Sequence, residues 1–171
     1  ILALDNLNGL RPGATVNMGC TEGGRSPSIV AEYAKMKIDL RTFTDDDMQA
    51  LEAAVHKQLA MATVPGVRIT ATLEEGSVCG AMERTRAAAE LEALAQKAAQ
   101  ELGFEVKGVR TGGVSDANLI AAKGTPILDG LGPIGGLDHS HDEYINLGSI
   151  VPRTALLAKL IIAIAQEEKA H

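Results

Sequence analysis

Three segments in the first half of the chain alternate apolar and polar side chains, the pattern of strands with one buried face. They are Thr15–Cys20, Lys35–Arg41 and Val67–Leu73. Between the last two, Thr44 followed by three aspartates predicts a capped helix with a favourable acidic first turn, which ends before Pro65. The order strand, strand, helix, strand predicts an antiparallel sheet that has a helix on one face.

The second half of the chain alternates helical periodicity with short apolar segments. The first helix ends at Gly103, a residue that suits a helix stop. This alternation predicts an α/β arrangement. The predicted elements are a helix over Thr85–Leu102, a strand near Val106–Arg110, a helix over Asp116–Ala122, a strand over Thr125–Leu128, and a helix capped by Ser149 that runs to about Gln166.

The two patterns meet near Gly76–Gly80, which predicts a domain boundary and a hinge. We therefore assign residues 1–76 to one domain and residues 80–171 to another. The first domain has three predicted strands, and a fourth would complete a two-layer α+β module. The unpaired sheet edge favours association with another segment or with a second copy of the chain.

Composition narrows the classes of partner. Apolar residues make up 46% of the chain, which is enough for a core, and the net charge of −6 argues against nucleic acid. The apolar run Ala155–Ala165 is about half of the roughly 20 residues that a membrane span needs, so we expect no membrane partner. No signal segment opens the sequence, so the cytoplasm is favoured while the compartment stays open. Cys20 and Cys79 are isolated, which favours two free thiols over a disulfide.

Three segments of small and charged residues follow one another in the second half. They read GGVSDAN at Gly112–Asn118, TPILDGLGP at Thr125–Pro133 and HSHDEY at His139–Tyr144. Loops around a buried strand are where α/β enzymes place functional side chains. The stretch Gly130–Gly135 also matches G-x-G-x-x-G, but no helix opens directly after it, so we reject a nucleotide site.

In their order and spacing these segments resemble the C-terminal part of the dinuclear-zinc exopeptidases. That family includes aminoacylases, succinyl-diaminopimelate desuccinylase and glucarpidase-like glutamate carboxypeptidases. The resemblance implies that residues 1–76 are part of a two-layer α+β lid or dimerisation domain, and that residues 80–171 are the C-terminal part of an α/β zinc-peptidase catalytic domain. It also implies a homodimer formed through the lid.

His139 begins the HxxxEY segment, and the resemblance implies that its imidazole binds zinc. Without the resemblance, a loop histidine close to a second one is more typical of an exposed side chain, and we interpret His141 in that way. The family's upstream H-x-D and Glu-Glu segments are absent here, and Glu74 and Glu75 are rejected as a substitute because they end a predicted strand. We therefore expect two zinc ions only in a full-length protein, and no catalytic residue in this chain.

Five residues are expected to contact substrate because of the resemblance. Arg41 matches the lid arginine that grips a free carboxylate, although on its own it would be interpreted as a solvated strand residue. Gly112, Gly113 and Ser115 match a turn that lines the carboxylate pocket. Ser28 lies 13 residues before Arg41, where the family commonly has asparagine.

Three further carboxylates have structural interpretations. Asp116 is favoured as a helix N-cap. Asp129 and Glu143 are expected to orient loops by hydrogen bonding, and either could position His139.

The resemblance implies a metal-dependent hydrolase in which a zinc-activated water cleaves an amide or peptide bond beside a free carboxylate. The implied substrate is a small N-acyl amino acid or peptide. The alternative is a truncated or diverged homologue without catalysis, which serves as a binding or assembly module.

Overall fold

The computed structural model describes residues 1–61, 64–72 and 79–168, and it has a mixed α/β fold, as predicted. Its elements in chain order are α1 (Leu2–Asp5), β1 (Thr15–Gly23), β2 (Ala34–Arg41), α2 (Asp45–Ala60), α3 (Arg86–Glu101), α4 (Asp116–Ala121), β3 (Gly135–Gly136), β4 (Tyr144–Ile145) and α5 (Ile150–Glu168), with a 3₁₀ turn at Leu147–Ser149 directly before α5.

The chain divides into two compact units, each made of two segments. The first unit comprises Ile1–Glu83 and Arg110–Ala122, and the second comprises Arg84–Val109 and Lys123–His171. The glycine-rich loop after Arg110 thus groups with the β1–β2 unit. The predicted hinge falls partly on residues 76–78, which lie outside the described residues, as do Glu74 and Glu75. The lid and catalytic assignments stay predictions.

An antiparallel pair of strands forms the sheet of the first unit. β1 and β2 pair from Thr15 opposite Arg41 to Gly23 opposite Ala34, with an irregularity in β1 between Asn17 and Cys20. The alternation in the sequence therefore gave both strands correctly. The buried core beneath them consists of Leu4, Leu7, Ala14, Val16, Leu51 and Val55.

α2 begins where the sequence places its cap. The Thr44 hydroxyl accepts a hydrogen bond from the Asp47 amide at 3.2 Å, and the three aspartates occupy the first turn, where the helix dipole favours negative charge. Leu51 and Val55, one turn apart, are the buried residues of the helix. The helix ends at Ala60, before Pro65, as predicted.

The second unit is held by contacts between α3 and α5. Ala98, Ala99 and Leu156 form its buried cluster, and Phe104 and Val106 pack against that cluster. At the edge of this contact Lys159 Nζ lies 2.7 Å from Glu101 Oε2. The hydrogen bond and the charge of Lys159 lower the pKa of the Glu101 carboxyl. The helix α3 was predicted over Thr85–Leu102, and Thr85 is its N-cap, because its hydroxyl accepts a hydrogen bond from the Ala88 amide.

The three other predicted strands are wrong in the described residues. Residues 67–72, 106–110 and 125–128 are irregular, and Leu73 of the first segment lies outside the described ranges. Alternation indicates which side chains are half-buried, but a strand also needs a neighbour with which to exchange hydrogen bonds. In the described residues these segments have no such neighbour.

The beginning of α5 differs from the prediction. Ser149 is the last residue of the 3₁₀ turn and does not cap α5, which starts at Ile150. The 20-residue segment Leu147–Gln166, which comprises the 3₁₀ turn and most of α5, could cross a membrane by length and composition, and 17% of its most apolar part is buried. This is weak evidence, since core helices of soluble proteins pass the same test.

Cys20 and Cys79 are both free, as the sequence favoured.

Candidate functional site

Arg41 is the last residue of β2, and its guanidinium group contacts the glycine-rich loop of the same unit. Its Nε donates to Asp39 Oδ2 at 2.6 Å, and its Nη1 donates to the carbonyl oxygen of Gly112, also at 2.6 Å. The structure therefore brings together two predicted substrate-binding residues that are 71 positions apart. The side chain is 43% exposed. Three of the five N–H donors of an arginine remain for an anion after these two bonds.

The glycines of this loop are exposed and have space above them. A side-chain carbon at Gly112 would meet no atom within 4 Å, and one at Gly113 would only touch the Thr111 hydroxyl at 3.5 Å. Neither glycine has a positive φ angle. Contacts within the protein therefore do not require glycine at Gly112 or Gly113, and the open space would admit a bound molecule.

Ser115 is the N-cap of α4. The sequence interpretation had assigned that role to Asp116, its neighbour. The Ser115 hydroxyl accepts from the Ala117 amide at 3.1 Å, while the Ser115 amide donates to Asn118 Oδ1 at 3.1 Å, which completes a capping box. Asp116 is the first helical residue, where its charge suits the dipole. The Ser115 hydroxyl therefore serves the helix, and its contact with substrate stays a prediction.

Side chains also fix the segment that lies between the two halves of the sequence. Asn118 Nδ2 donates to the carbonyl oxygen of Gly80 at 3.0 Å, and Asp45 Oδ1 accepts from the Ala81 amide at 2.8 Å. The Asp45 amide donates to Glu83 Oε1 at 3.1 Å. Residues 80–83 are thus attached both to the start of α2 and to α4. The glycine-rich loop shares these attachments through Asn118.

Ser28 lies apart from the other predicted contacts. It is exposed in the loop between β1 and β2, where its hydroxyl lies 3.0 Å from that of Ser26. Arg41 lies at the opposite end of β2, so at about 3.3 Å per residue the strand alone separates them by roughly 23 Å. The structure therefore does not bring Ser28 to Arg41, and a substrate role for Ser28 stays a prediction.

Arg110 is a residue of this region that the sequence analysis missed. Its guanidinium carbon lies 5.9 Å from the ring centroid of Phe43, a cation–π distance. Phe43 follows Arg41 by two positions, and Arg110 precedes Gly112 by two. Each of these two segments therefore contributes one arginine and the group that the arginine of the other segment contacts. A basic residue two positions before the paired glycines was the signal that could have identified Arg110.

His139 lies in the second unit, on the connection between β3 and β4. The two strands pair Gly135 with Ile145 and Gly136 with Tyr144. His139 is exposed and has φ of 65°, and Leu137 has φ of 60°. This left-handed region costs a residue with a side chain roughly 1–2 kcal/mol. The histidine is therefore presented on a connection whose conformation must be stabilised by other contacts.

The described residues do not by themselves fit a metal ion. No group of three or more histidine, cysteine, aspartate or glutamate side chains within the described ranges is arranged to hold one. Asp129 Oδ1 accepts the neighbouring Gly130 amide, so it orients its own loop, as expected. His139 is accordingly one candidate donor, and one donor does not make a zinc site.

The family described as Peptidase family M20/M25/M40 matches residues 7–163 of the chain. Among solved structures the chain is similar to the crystal structure of aminopeptidase PepT from Bacillus cereus ATCC 10987, with a TM-score of 0.59 and 22% identity. The match covers 89% of this chain and 40% of that one, and at this identity it shows the fold alone. No curated protein sequence matches significantly.

Asn118→Ala tests whether this side chain stabilises α4 and the loop before it. The change removes the acceptor of the capping box and the bond to Gly80, so residues 116–121 should lose helix content; loss of a cap costs about 1 kcal/mol. The measurement is the set of Cα secondary chemical shifts, which should move toward coil values. Leu119→Ala, an exposed position on the same helix, is the control. Unchanged shifts in the Asn118 variant would show that α4 does not depend on the capping box.

Proposed function

The chain belongs to peptidase family M20/M25/M40, and we propose on that basis that it forms part of a metal-dependent hydrolase. The proposed reaction is cleavage of an amide or peptide bond beside a free carboxylate, of the carboxypeptidase or deacylase type. The proposed substrates are small N-acyl amino acids or peptides. The chain spans 40% of the length of the aminopeptidase structure to which it is similar, so the activity is a proposal about the whole protein.

The contact between Arg41 and Gly112 is the observation that supports carboxylate recognition most directly. The family resemblance assigned both residues to recognition of the substrate carboxylate, and they are hydrogen-bonded to each other at 2.6 Å. The bond to Asp39 holds the Nε edge of the guanidinium group. An arginine that is already oriented loses less side-chain entropy when a ligand binds, which favours affinity.

Electrostatics around Arg41 favour a single negative charge in the ligand. Asp39 compensates part of the Arg41 charge, whereas Arg110 adds a second cation beside the glycine-rich loop. The planar guanidinium group can bind both oxygens of a carboxylate, which a lysine cannot do. We propose that a substrate carboxylate binds the remaining Arg41 donors above Gly112 and Gly113.

His139 is proposed as a ligand of one of two zinc ions. Since the described residues do not form a metal site, the other ligands and the general base would have to come from residues beyond those described. Bound zinc would polarise the scissile carbonyl and activate a water. We also propose a homodimer formed through residues 1–76 and a cytoplasmic location.

A binding or assembly module without catalysis is the second candidate. The lack of a three-ligand group in the described residues favours it. The two candidates differ in the mass of the protein purified from its source. A mass near 17.8 kDa supports the module, and a much larger mass supports the enzyme.

His139→Ala should remove most hydrolase activity of the full-length protein and lower its zinc content toward one ion per chain, because a zinc ion bound by fewer ligands dissociates more easily. The measurements are kcat and metal content after dialysis. His141→Ala is the matched control, since His141 is exposed two positions away and no role is proposed for it. Two zinc ions retained in the His139 variant would contradict the assignment.

Arg41→Lys should lower the preference for free-acid substrates over their carboxyl-amidated analogues. The variant keeps the charge and loses the planar pair of donors, so the ratio of kcat/KM values should fall roughly 10- to 100-fold, as expected for the loss of a charged hydrogen bond of about 1.5–3 kcal/mol. Arg25→Lys, the same substitution at an exposed ion pair with Glu32, is the control. An unchanged ratio would exclude Arg41 as the carboxylate anchor.

A further inference from the structure

We propose that the hydroxyl groups of Ser149 and Ser140 are positioning groups that fix the backbone of the His139 hairpin, which we define as residues 134–146. Ser149 acts at the base of this hairpin and Ser140 acts at its tip. The functional consequence depends on the proposed role of His139. The structural consequence does not, and the experiment separates the two.

Ser149 joins both ends of the hairpin through one buried hydroxyl. Its side chain is buried, with 6% of the residue exposed, whereas the other residues of the described core are apolar. Its Oγ accepts from the Ile134 amide at 2.8 Å and donates to the Asn146 carbonyl oxygen at 2.6 Å. The Asn146 amide in turn donates to the Ile134 carbonyl oxygen at 2.8 Å. A buried hydroxyl that satisfies a donor at one end of the hairpin and an acceptor at the other closes the hairpin at its base.

The base of the hairpin is connected to α5, which is itself anchored in the core of its unit. Leu156 of α5 is fully buried against α3. One turn earlier, Arg153 Nε donates to the Gly132 carbonyl oxygen at 2.8 Å, and its Nη2 donates to the Gly130 carbonyl oxygen at 2.5 Å. The segment that leads into the hairpin is therefore held to the same helix that Ser149 precedes. Movement of the base would break several hydrogen bonds together.

Ser140 holds the tip on both sides of the histidine. Its Oγ donates to the Leu137 carbonyl oxygen at 2.7 Å and accepts from the Asp142 amide at 3.2 Å. Leu137 and His139 are the non-glycine residues of the described chain with positive φ. Such conformations persist only when surrounding contacts determine them, so the Ser140 bonds offset the strain where it occurs.

For function, the two hydroxyls matter because they limit how far the His139 side chain can move from its productive position. A side chain that binds a ligand must be held within about 0.5 Å of its productive position, and contacts behind it provide that accuracy. His139 is exposed, so little packing limits its position. Its backbone conformation is the remaining determinant, and Ser140 and Ser149 set that conformation. Loss of either hydroxyl should leave the imidazole present but variably placed.

The test uses Ser149→Ala and Ser140→Ala, with Thr154→Ala as the matched control. Among the described residues the Thr154 hydroxyl bonds to the Ile150 carbonyl oxygen within α5 and to no group of the hairpin, so its removal leaves the hairpin untouched. The readout on the intact chain is amide hydrogen exchange. Ser149→Ala should accelerate exchange at Ile134 and Asn146 by roughly tenfold, and Ser140→Ala should accelerate it at Asp142, because a lost hydrogen bond favours local opening. Unchanged exchange at these amides in both variants would overturn the proposal.

A general loss of structure is distinguished by the conservative variant. If Ser149→Ala unfolds the unit, the amides of helix α3 will also lose protection from exchange. Ser149→Thr keeps a hydroxyl, so it should restore protection both in α3 and in the hairpin. In that case Ser140→Ala, whose side chain is exposed, decides between the outcomes. Normal exchange at Asp142 in a folded Ser140→Ala variant would then count against the positioning role.

Kinetic measurements on the active full-length protein distinguish the positioning role of the two serines from the proposed function of His139. In the active full-length protein, Ser149→Ala and Ser140→Ala should lower kcat about tenfold or more, while KM changes less than about twofold, since substrate contacts are intact. Full kcat in both variants, alongside an inactive His139→Ala variant, would overturn positioning and leave the function standing. An active His139→Ala variant would reject the role of His139, while the exchange rates would still test the hairpin.

Discussion

Hydrogen bonds from side chains to the main chain hold the functional loops of this protein. In the described residues the glycine-rich loop has no strand partner, and the hairpin pairs only Gly135 with Ile145 and Gly136 with Tyr144. The other buried or half-buried amides and carbonyls still require partners. Asn118 supplies them for the loop of the first unit, and Ser149 supplies them for the hairpin of the second. Glu92 of α3 does the same for the Gly108 amide. Each loop therefore depends on a few polar side chains located on helices.

Both functional loops lie within the part of the chain that matches peptidase family M20/M25/M40. In the first unit, the bond between Arg41 and Gly112 places an oriented cation beside open backbone. In the second unit, a strained hairpin presents His139. Contacts within the protein hold both arrangements, which reduces the ordering cost of recognition.

The sequence predicted α2 and α3 because their signals are local: Thr44 and Thr85 are caps whose bonds span three residues. It failed for residues 67–72, 106–110 and 125–128, since a strand requires a partner that alternation does not reveal. The candidate site shows the same difference between local signals and distant contacts. The family resemblance indicated the functional residues, but not that Arg41 contacts Gly112, that Arg110 covers Phe43, or that Ser149 closes a hairpin. Those contacts join distant positions, which periodicity and motif spacing do not encode.

Side-chain acceptors serve loop amides that strand pairing does not reach, and native-state amide exchange of the unmodified protein tests this most directly. The amides of Ala81, Gly108, Ser115 and Ile134 each donate to a side-chain oxygen. We expect all four amides to exchange more slowly than those of an unstructured chain, although none lies in a strand. Exchange at unstructured-chain rates in a protein whose α3 amides remain protected would contradict it.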